Sequence, residues 1–484
     1  METKAVVLAA GEGTRLRPLT FTRPKPLLPL GPEPSIFYLL SRLAREGFDD
    51  IVIVVRGSSR NQIMEYLGDG SRFGVRITYE VEPDGLRIGT AGCLKLGEHL
   101  LDETFLVAQA DTLTEIPLRE AVDFHHKSGA LATIVLTRVH DPSDYGVAIL
   151  DEKKAIIEFQ EKPGREARSN LVSTGFYIME PEAIDYIMEN EWDFAKNLFP
   201  WLLKLRKRLS GFASDAFWVD IGNLEGYLRG VKWVVENMAR AQTTLSVGLP
   251  NLAMTDRTAH IDQRAQILGP ALIEREVTIE EEAKIGQYCV IKRNARVSSG
   301  TVLERSAIME RVSIGRNCKV IDSVIGQSAV LHDNVIVNGS IIGPGCAIGD
   351  RAKVLNGTRI WPNVKIGAEE TVKGIVAAPL ETAFYCYTNF GQYTGLLATS
   401  IEGFIEVLEK SPIDSIEFHA KRRDYEKWIR GVLSLNELAD GIEDLRRLGL
   451  SGEGLRRDLI EVTKKWADAI ESKNQVVMAD ATDQ

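Results

Sequence analysis

Over roughly its first half the chain alternates short runs of consecutive apolar residues with stretches whose apolar positions recur every three or four. The runs Ala5–Ala10, Ile51–Val55 and Ile77–Glu80 predict buried strands, and Ile36–Glu46 and Gln62–Leu67 predict helices. Such alternation implies an α/β fold with a Rossmann-like, mostly parallel sheet and helices on both faces. Ligands of open sheets of this kind sit beyond the carboxyl ends of the strands.

From Ile261 to Val372 the period changes to six. Ile261, Ile267, Ile273, Ile279, Ile285, Ile291 and Val297 form one run, and Val302, Ile308, Ile314 and Val320 continue in a shifted frame. Val324, Val330, Ile336, Ile342, Ile348, Val354, Ile360, Ile366 and Val372 form a third. A period of six suits a coil of three short strands, each turning one aliphatic side chain into a triangular interior. The pattern resembles the left-handed parallel β-helix of hexapeptide-repeat proteins. At a strand spacing of ~4.8 Å the span implies about six coils and a prism roughly 30 Å long. Glycine directly follows the inward position at Gly286, Gly315, Gly343, Gly349 and Gly367, whereas Gly326 is offset by one. The frame shifts at 297–302 and 320–324 predict bulges or loops at the prism corners.

After Leu380 the repeat stops. Phe384–Thr388 is aromatic, and Ser400–Glu409, Tyr425–Val432, Glu437–Leu448 and Gly454–Ile470 have helical periodicity with many i,i+4 charge pairs. The expected organisation is a sheet domain over 1–240, a β-helix over 250–378 and a small α+β or helical accessory domain over 384–484. His419, Arg422 and Trp428 in the last region read as a packed helix with a satisfied histidine.

A length of 484 residues agrees with about three domains. Hydrophobic residues at 44% and charged residues at 26% exclude a disordered or fibrous chain. No apolar run is long enough to cross a bilayer and the N-terminus lacks the pattern of a secretory leader, which predicts a cytoplasmic protein. Five cysteines without a C-x-x-C pair predict free buried thiols, with no zinc site or disulfide framework. A net charge of −10 argues against a nucleic-acid partner, and Lys204–Arg208 is expected to be a solvated helix end.

The chemistry concentrates in residues 8–30, LAAGEGTRLRPLTFTRPKPLLPL. A buried strand runs into Gly11 and Gly13, which lack the Cβ atoms that would keep backbone N–H groups away from a phosphate chain. Arg15 and Lys25 supply countercharge. The dinucleotide pattern G-x-G-x-x-G fails at Leu16, and the P-loop G-x-x-x-x-G-K-[ST] is absent. The remaining pattern, G-x-G-T-R-L-x-P-L-T-x-x-x-P-K-P-L-x-P, resembles the signature of the sugar-1-phosphate nucleotidyltransferases.

That resemblance implies in-line attack of a sugar-phosphate oxygen on the α-phosphorus of a nucleoside triphosphate, with pyrophosphate leaving. Cations, a metal and N–H donors carry such a reaction, and no covalent enzyme intermediate is needed. By resemblance, Leu8, Ala10, Gly11, Gly13, Thr14, Arg15, Glu82, Gly89 and Thr90 contact the nucleotide, and Arg15, Lys25 and Asp111 are catalytic. Asp111 ends the strand-like Phe105–Gln109 run where the family has Asn-Gly-Asp, and Trp218–Asn223 resembles W-x-D-x-G-T; these imply Asp111 and Asp220 as Mg²⁺ ligands. Gln109 and Ala110 depart from the family triplet. Glu161-Lys162-Pro163 matches E-K-P and implies Glu161 on sugar hydroxyls and Lys162 on the sugar phosphate. Asp144–Val147 and Ser173–Tyr177 match further segments that bring Gly146 and Thr174 to the sugar.

Nucleotide choice is expected to depend on Glu80, Glu82 and Gly89-Thr90-Ala91-Gly92, preceded by a lengthened Pro-Asp-Gly-Leu-Arg-Ile segment. The G-T-A-G form is similar to mannose-1-phosphate guanylyltransferases and points to GTP and mannose 1-phosphate. Glucose-1-phosphate thymidylyl- or uridylyltransferase is the alternative. An acetyl-CoA-dependent acyltransferase on the prism would need a histidine base near an Asn-rich coil, and only His260 and His332 lie near it. A regulatory, non-catalytic subunit is the third alternative, favoured only by Gln109-Ala110. The prism itself is expected to support a homo-oligomer.

Overall fold

In a computed structural model, residues 3–84, 88–188, 191–243, 253–376, 382–433 and 435–475 are described. Part of the lengthened segment before Gly89, residues 85–87, lies outside them. The chain divides into two compact units, Met1–Thr14 with Thr20–Gly230, and Arg15–Leu19 with Val231–Gln484.

The first unit is built on strands β1 (Lys4–Ala9), β2 (Asp50–Arg56), β3 (Arg76–Glu82), β4 (Phe105–Gln109), β5 (Thr112–Thr114), β6 (Ala132–Arg138), β7 (Gly146–Leu150), β8 (Ile156–Glu161), β9 (Leu171–Met179), β10 (Leu209–Ala213) and β11 (Trp218–Asp220). Its helices are α1 (Ser35–Arg45), α2 (Arg60–Leu67), α3 (Gly89–Leu96), α4 (Leu118–Ser128), α5 (Phe199–Lys204) and α6 (Leu224–Thr243), the last crossing the unit boundary. The main sheet runs β10-β6-β9-β4-β1-β2-β3. Along this path it is parallel except at β9, which is antiparallel to both β4 and β6, and the antiparallel β7–β8 hairpin joins the same sheet beside β9.

β1 is apolar on both faces because both faces are covered. Val7 and Ala9 pack with Ile36, Leu40 and Ile53, while Val6 and Leu8 pack on the other face with Val54, Val107 and Leu94. The strand order reverses direction between β1 and β4, so the loops leaving these two strands open a crevice at their carboxyl ends. The residue 11–13 loop leaves β1 and Asp111 follows β4.

The second unit contains the left-handed β-helix, whose three faces carry eight, seven and seven parallel strands. That is about one coil more than expected, because Ala253–Thr255 and Ile375–Val376 extend the ends. The frame of inward residues also differs from the six-residue reading. Leu303, Ile325, Leu331 and Val337 stack in register with Ile285, Ile308, Ile314 and Val320, in place of Val302, Val324, Val330 and Ile336. Val330 and Ile336 are exposed. Each of these positions is one of two adjacent aliphatics, so spacing alone could not choose between them.

The shift has a regular cause. In three successive coils one edge is a residue short, between Leu303 and Ile308, Val320 and Ile325, and Val337 and Ile342, while the coils before and after keep six residues per edge. The buried Ser306, Ser323 and Ser340 stack at those edges, Ser323 N–H donating to Ser306 Oγ at 3.2 Å and Ser340 N–H to Ser323 Oγ at 3.1 Å. Hydroxyls thus satisfy buried backbone donors where the shortened turn leaves them without a carbonyl. The shifts are tight edges and not the loops expected, and Gly326 directly follows the inward Ile325 after all.

Among the described residues beyond the prism lie a hairpin of Phe384–Asn389 and Gln392–Ala398 and helices α7 (Ile401–Lys410), α8 (Ile413–Arg422), α9 (Asp424–Gly431), α10 (Asn436–Arg447) and α11 (Gly452–Gln475). Trp361 of the prism donates its Nε1–H to Leu433 O at 2.9 Å, a buried tie between the two parts. His419 is buried, accepts Tyr387 N–H on Nε2 at 2.8 Å and meets Asp424 through Nδ1 at 2.9 Å. It is a satisfied packing histidine. All five cysteines are free and buried.

Candidate active site

Gly13 has φ +64°, and a Cβ there would meet Lys25 Cβ at 3.0 Å and Thr20 Cγ2 at 2.9 Å. Thr20 Oγ1 donates to Gly13 O at 2.9 Å. The absent side chain therefore lets the loop fold onto the stem of Lys25. Gly11 faces open space, and Thr14 and Arg15 are exposed. Leu8 and Ala10 are buried, so only their backbone could meet a ligand, and Leu8 O already accepts Ala110 N–H at 3.1 Å.

Lys25 is 8% exposed, and its ammonium pairs with the Asp111 carboxylate and lies 3.8 Å from Asp220 Oδ1. The two aspartates come together because β5 and β11 pair antiparallel, Thr112 opposite Asp220, and Ile221 N–H donates to Asp111 O at 3.0 Å. Among the described residues no group of three or more His, Cys, Asp or Glu is arranged to hold a metal. Two carboxylates flanking one ammonium do suit a hard divalent cation that takes its remaining ligands from phosphate and water.

Gln109 and Ala110 have a packing explanation. Ala110 is 2% exposed and belongs to the core. Gln109 lies against Gly175, where φ is +82° and a Cβ would meet Gln109 Cγ at 2.7 Å. Neither substitution removes a group from around Asp111.

The β7–β8 hairpin carries the other cluster. Gly146 pairs with Glu161, and a Cβ at Gly146 would meet Phe159 Cζ at 2.6 Å and Glu161 Oε2 at 3.3 Å. Glu161 is half-buried, and burial pushes its carboxyl above the ordinary value against the opposing pull of Lys162 and Lys196. Lys162 is held by its N–H donating to Tyr145 O at 3.0 Å, with Nζ 3.9 Å from Glu161 Oε1. Tyr145 in turn stacks edge-on against Trp218, two residues before Asp220. Thr174 is 1% exposed and its hydroxyl donates to Val135 O at 2.8 Å, while its carbonyl accepts Trp218 Nε1–H at 2.9 Å. Its side chain points into the core.

At the start of α3, Gly89 has φ +74°, and a Cβ there would collide with the Trp192 backbone carbonyl. Thr90 N–H and Oγ1–H both donate to Asp193 Oδ1, at 3.0 and 3.1 Å. Burial pushes the Asp193 carboxyl up, but the Thr90 N–H and Lys196 outweigh it and hold it below its ordinary value. Glu82 is buried and lies 3.4 Å from Arg56 Nη2. Arg56, Asp193 and Lys196 were not anticipated. Arg56 carried a usable signal, since it sits at the carboxyl end of a predicted strand. W-D-F-A-K carried none.

The structure thus brings a glycine loop at a strand-order switch, a buried lysine and a pair of aspartates to one end of the sheet. Comparison with known proteins supplies the class. Residues 4–236 match the nucleotidyl transferase family model and residues 267–376 match the GMPPB C-terminal domain. A UTP–glucose-1-phosphate uridylyltransferase of Synechocystis is 34% identical over 337 residues, 66% of this chain and 87% of that protein. A mannose-1-phosphate guanyltransferase of Yarrowia lipolytica is 33% identical over 70% of this chain and 96% of the relative. The one from Schizosaccharomyces pombe is 32% identical over 77% and 99%. The chain belongs to the sugar-1-phosphate nucleotidyltransferase family, close to the mannose-1-phosphate guanylyltransferases. It transfers a nucleotidyl group to a sugar 1-phosphate, and members of the family generally use a divalent metal.

Proposed function

We propose that the substrates are GTP and mannose 1-phosphate, the metal Mg²⁺ and the products GDP-mannose and pyrophosphate. The observation that supports the catalytic part is Lys25 set between Asp111 and Asp220 beneath the Gly11–Gly13 loop. The choice of base and sugar rests on the guanylyltransferase relatives and on Gly89-Thr90-Ala91-Gly92.

The backbone N–H groups of the 11–13 loop and the ammonium of Lys25 hold the triphosphate and offset the charge that builds on the α-phosphate and the leaving pyrophosphate. When bound between Asp111 and Asp220, the metal supplies Lewis-acid charge neutralisation to the same phosphates. Lys162 holds the sugar 1-phosphate and Glu161 accepts hydrogen bonds from sugar hydroxyls. Both lie on a hairpin that Tyr145 ties to Trp218, so the sugar site and the Asp220 strand are positioned together. Gly89 and Glu82 belong to the nucleotide side. Thr174 acts in this scheme by fixing Trp218.

A grid of pyrophosphate-release assays tests the proposal, with five nucleotides against mannose, glucose and N-acetylglucosamine 1-phosphates. A maximum at UTP and glucose 1-phosphate would establish the second reading, which the Synechocystis relative favours. Assembly into a homo-oligomer through the prism and a cytoplasmic location complete the proposal. Exposed Ile336, Leu355 and Leu268 on the prism support the first, and among the described residues no helix is long and apolar enough to cross a membrane.

A further inference from the structure

The turn that follows β2, Arg56-Gly57-Ser58, belongs to no motif of the family signature quoted above, yet it touches both halves of the nucleotide side. Arg56 Nη1 pairs with the carboxylate of Glu12, the residue between the two loop glycines, and Nη2 lies 3.4 Å from Glu82 Oε2. Two residues along, Ser58 N–H donates to Asp84 Oδ1 at 3.0 Å. Gly57 makes this approach possible, since a Cβ there would meet Asp84 Oδ2 at 2.8 Å. One turn thus fixes the tip of the phosphate loop and the end of β3, from which the segment toward Gly89 departs.

The chemistry of Glu12 makes this arrangement informative. A carboxylate at the tip of an anion-binding loop repels a triphosphate carrying about four negative charges, unless a fixed cation neutralises it. Glu82 raises a second demand, because a buried carboxylate is costly without a partner. A guanidinium meets both, since its planar fork can serve two carboxylates at once, whereas an ammonium is a single point charge.

We propose that Arg56 is a positioning residue of the transfer reaction. It neutralises Glu12 so that the loop accepts triphosphate, and it locks Glu82 and the start of the base-reading segment to the same turn, so that phosphate grip and base choice are coupled. The inference rests on the reading of residues 11–25 as the triphosphate site.

Inorganic tripolyphosphate is the probe that separates the two, because its binding, read by calorimetry, requires neither a base nor turnover. Wild-type protein is expected to bind it with Mg²⁺ present; absence of binding would overturn the loop reading and this inference with it, whatever nucleotide is used. Arg56→Met is expected to weaken tripolyphosphate at least tenfold and to raise KM for the preferred nucleotide by a similar factor, with kcat changed less than threefold. Glu12→Gln/Arg56→Met is expected to restore tripolyphosphate binding to within about threefold of wild type while the ratio of kcat/KM between nucleotides stays altered. Arg56→Lys is expected to restore neither property in full. Should Arg56→Met fail to fold because Glu82 is orphaned, Glu82→Gln/Arg56→Met removes that burden and carries the same test. Unchanged tripolyphosphate binding in a folded variant, a fall in kcat equal to that in kcat/KM, or no recovery on adding Glu12→Gln would each overturn the assignment.

Discussion

Replacing Lys25 by methionine keeps the apolar stem that packs under Gly13 and removes the charge between Asp111 and Asp220. At 3.8 Å the attraction between unit charges is about 4 kcal/mol at an effective dielectric constant near 20. The aspartate side chains keep roughly a quarter of their exposure, so water screens part of that. We expect a net loss of about 2 kcal/mol, which for a unit of this size lowers the melting temperature by about 5 °C in EDTA. Added Mg²⁺ is expected to recover most of that loss by taking the vacated place between the carboxylates, while leaving wild type without nucleotide nearly unchanged. Turnover is a separate readout: removing a preorganised cation from a developing phosphate charge is expected to lower kcat by about 10²- to 10³-fold. Differential scanning fluorimetry with EDTA and Mg²⁺, and pyrophosphate release on the same samples, measure both effects. A folded Lys25→Met protein with near-normal kcat, or one whose melting is no lower than wild type in EDTA, would refute the reasoning.

Gly175→Ala is expected to lower stability by about 2–3 kcal/mol, since it combines φ +82° with a Cβ at 2.7 Å from Gln109 Cγ; a melting curve like wild type would contradict this. Ile336→Asp is expected to be nearly neutral while the neighbouring Val337→Asp prevents folding of the prism, which circular dichroism and proteolysis distinguish; equal damage from both would reject the inward frame. Burial pushes the Cys386 thiol up, but its polar neighbours His419, Ser411 and Ser415, the two serines within 3.0 Å of the sulfur, outweigh it and bring its pKa down from 9 to about 7. A folded-state pKa below the unfolded value stabilises above the unfolded pKa, and that contribution fades as pH falls through about 7. The stability difference between wild type and Cys386→Ala is therefore expected to grow by on the order of 2–3 kcal/mol from pH 6 to pH 9 in denaturant titrations, and a flat difference would contradict it.

Strands β1 to β3 and helices α1 and α2 were legible because each is a single periodic run, and the structure moves their ends by no more than two residues. The prism was legible as a period but not as a frame. Pairs such as Val330-Leu331 and Ile336-Val337 offer two aliphatics where one is needed, and the serine-lined short edges that decide between them have no apolar signal. Lys25, Asp111 and Asp220 were accessible from motif and position, whereas their meeting around one ammonium depends on the β5–β11 pairing of two three-residue strands too short to read in advance. Thr174 shows the opposite failure: it sits in a recognisable segment, yet its hydroxyl is used inside the core. Arg56 was visible as a charge after an apolar run, but its partners Glu12 and Glu82 lie on two other segments, and only the parallel register brings them together.

Steady-state pyrophosphate release from GTP and mannose 1-phosphate with Mg²⁺, measured beside the same reaction with Asp111→Asn, puts substrate and site in one experiment. The proposed function requires turnover by wild type that exceeds every other nucleotide and sugar phosphate in the grid and falls at least tenfold in the folded variant. Silence of wild type across the grid, or an Asp111→Asn rate near wild type, would contradict it.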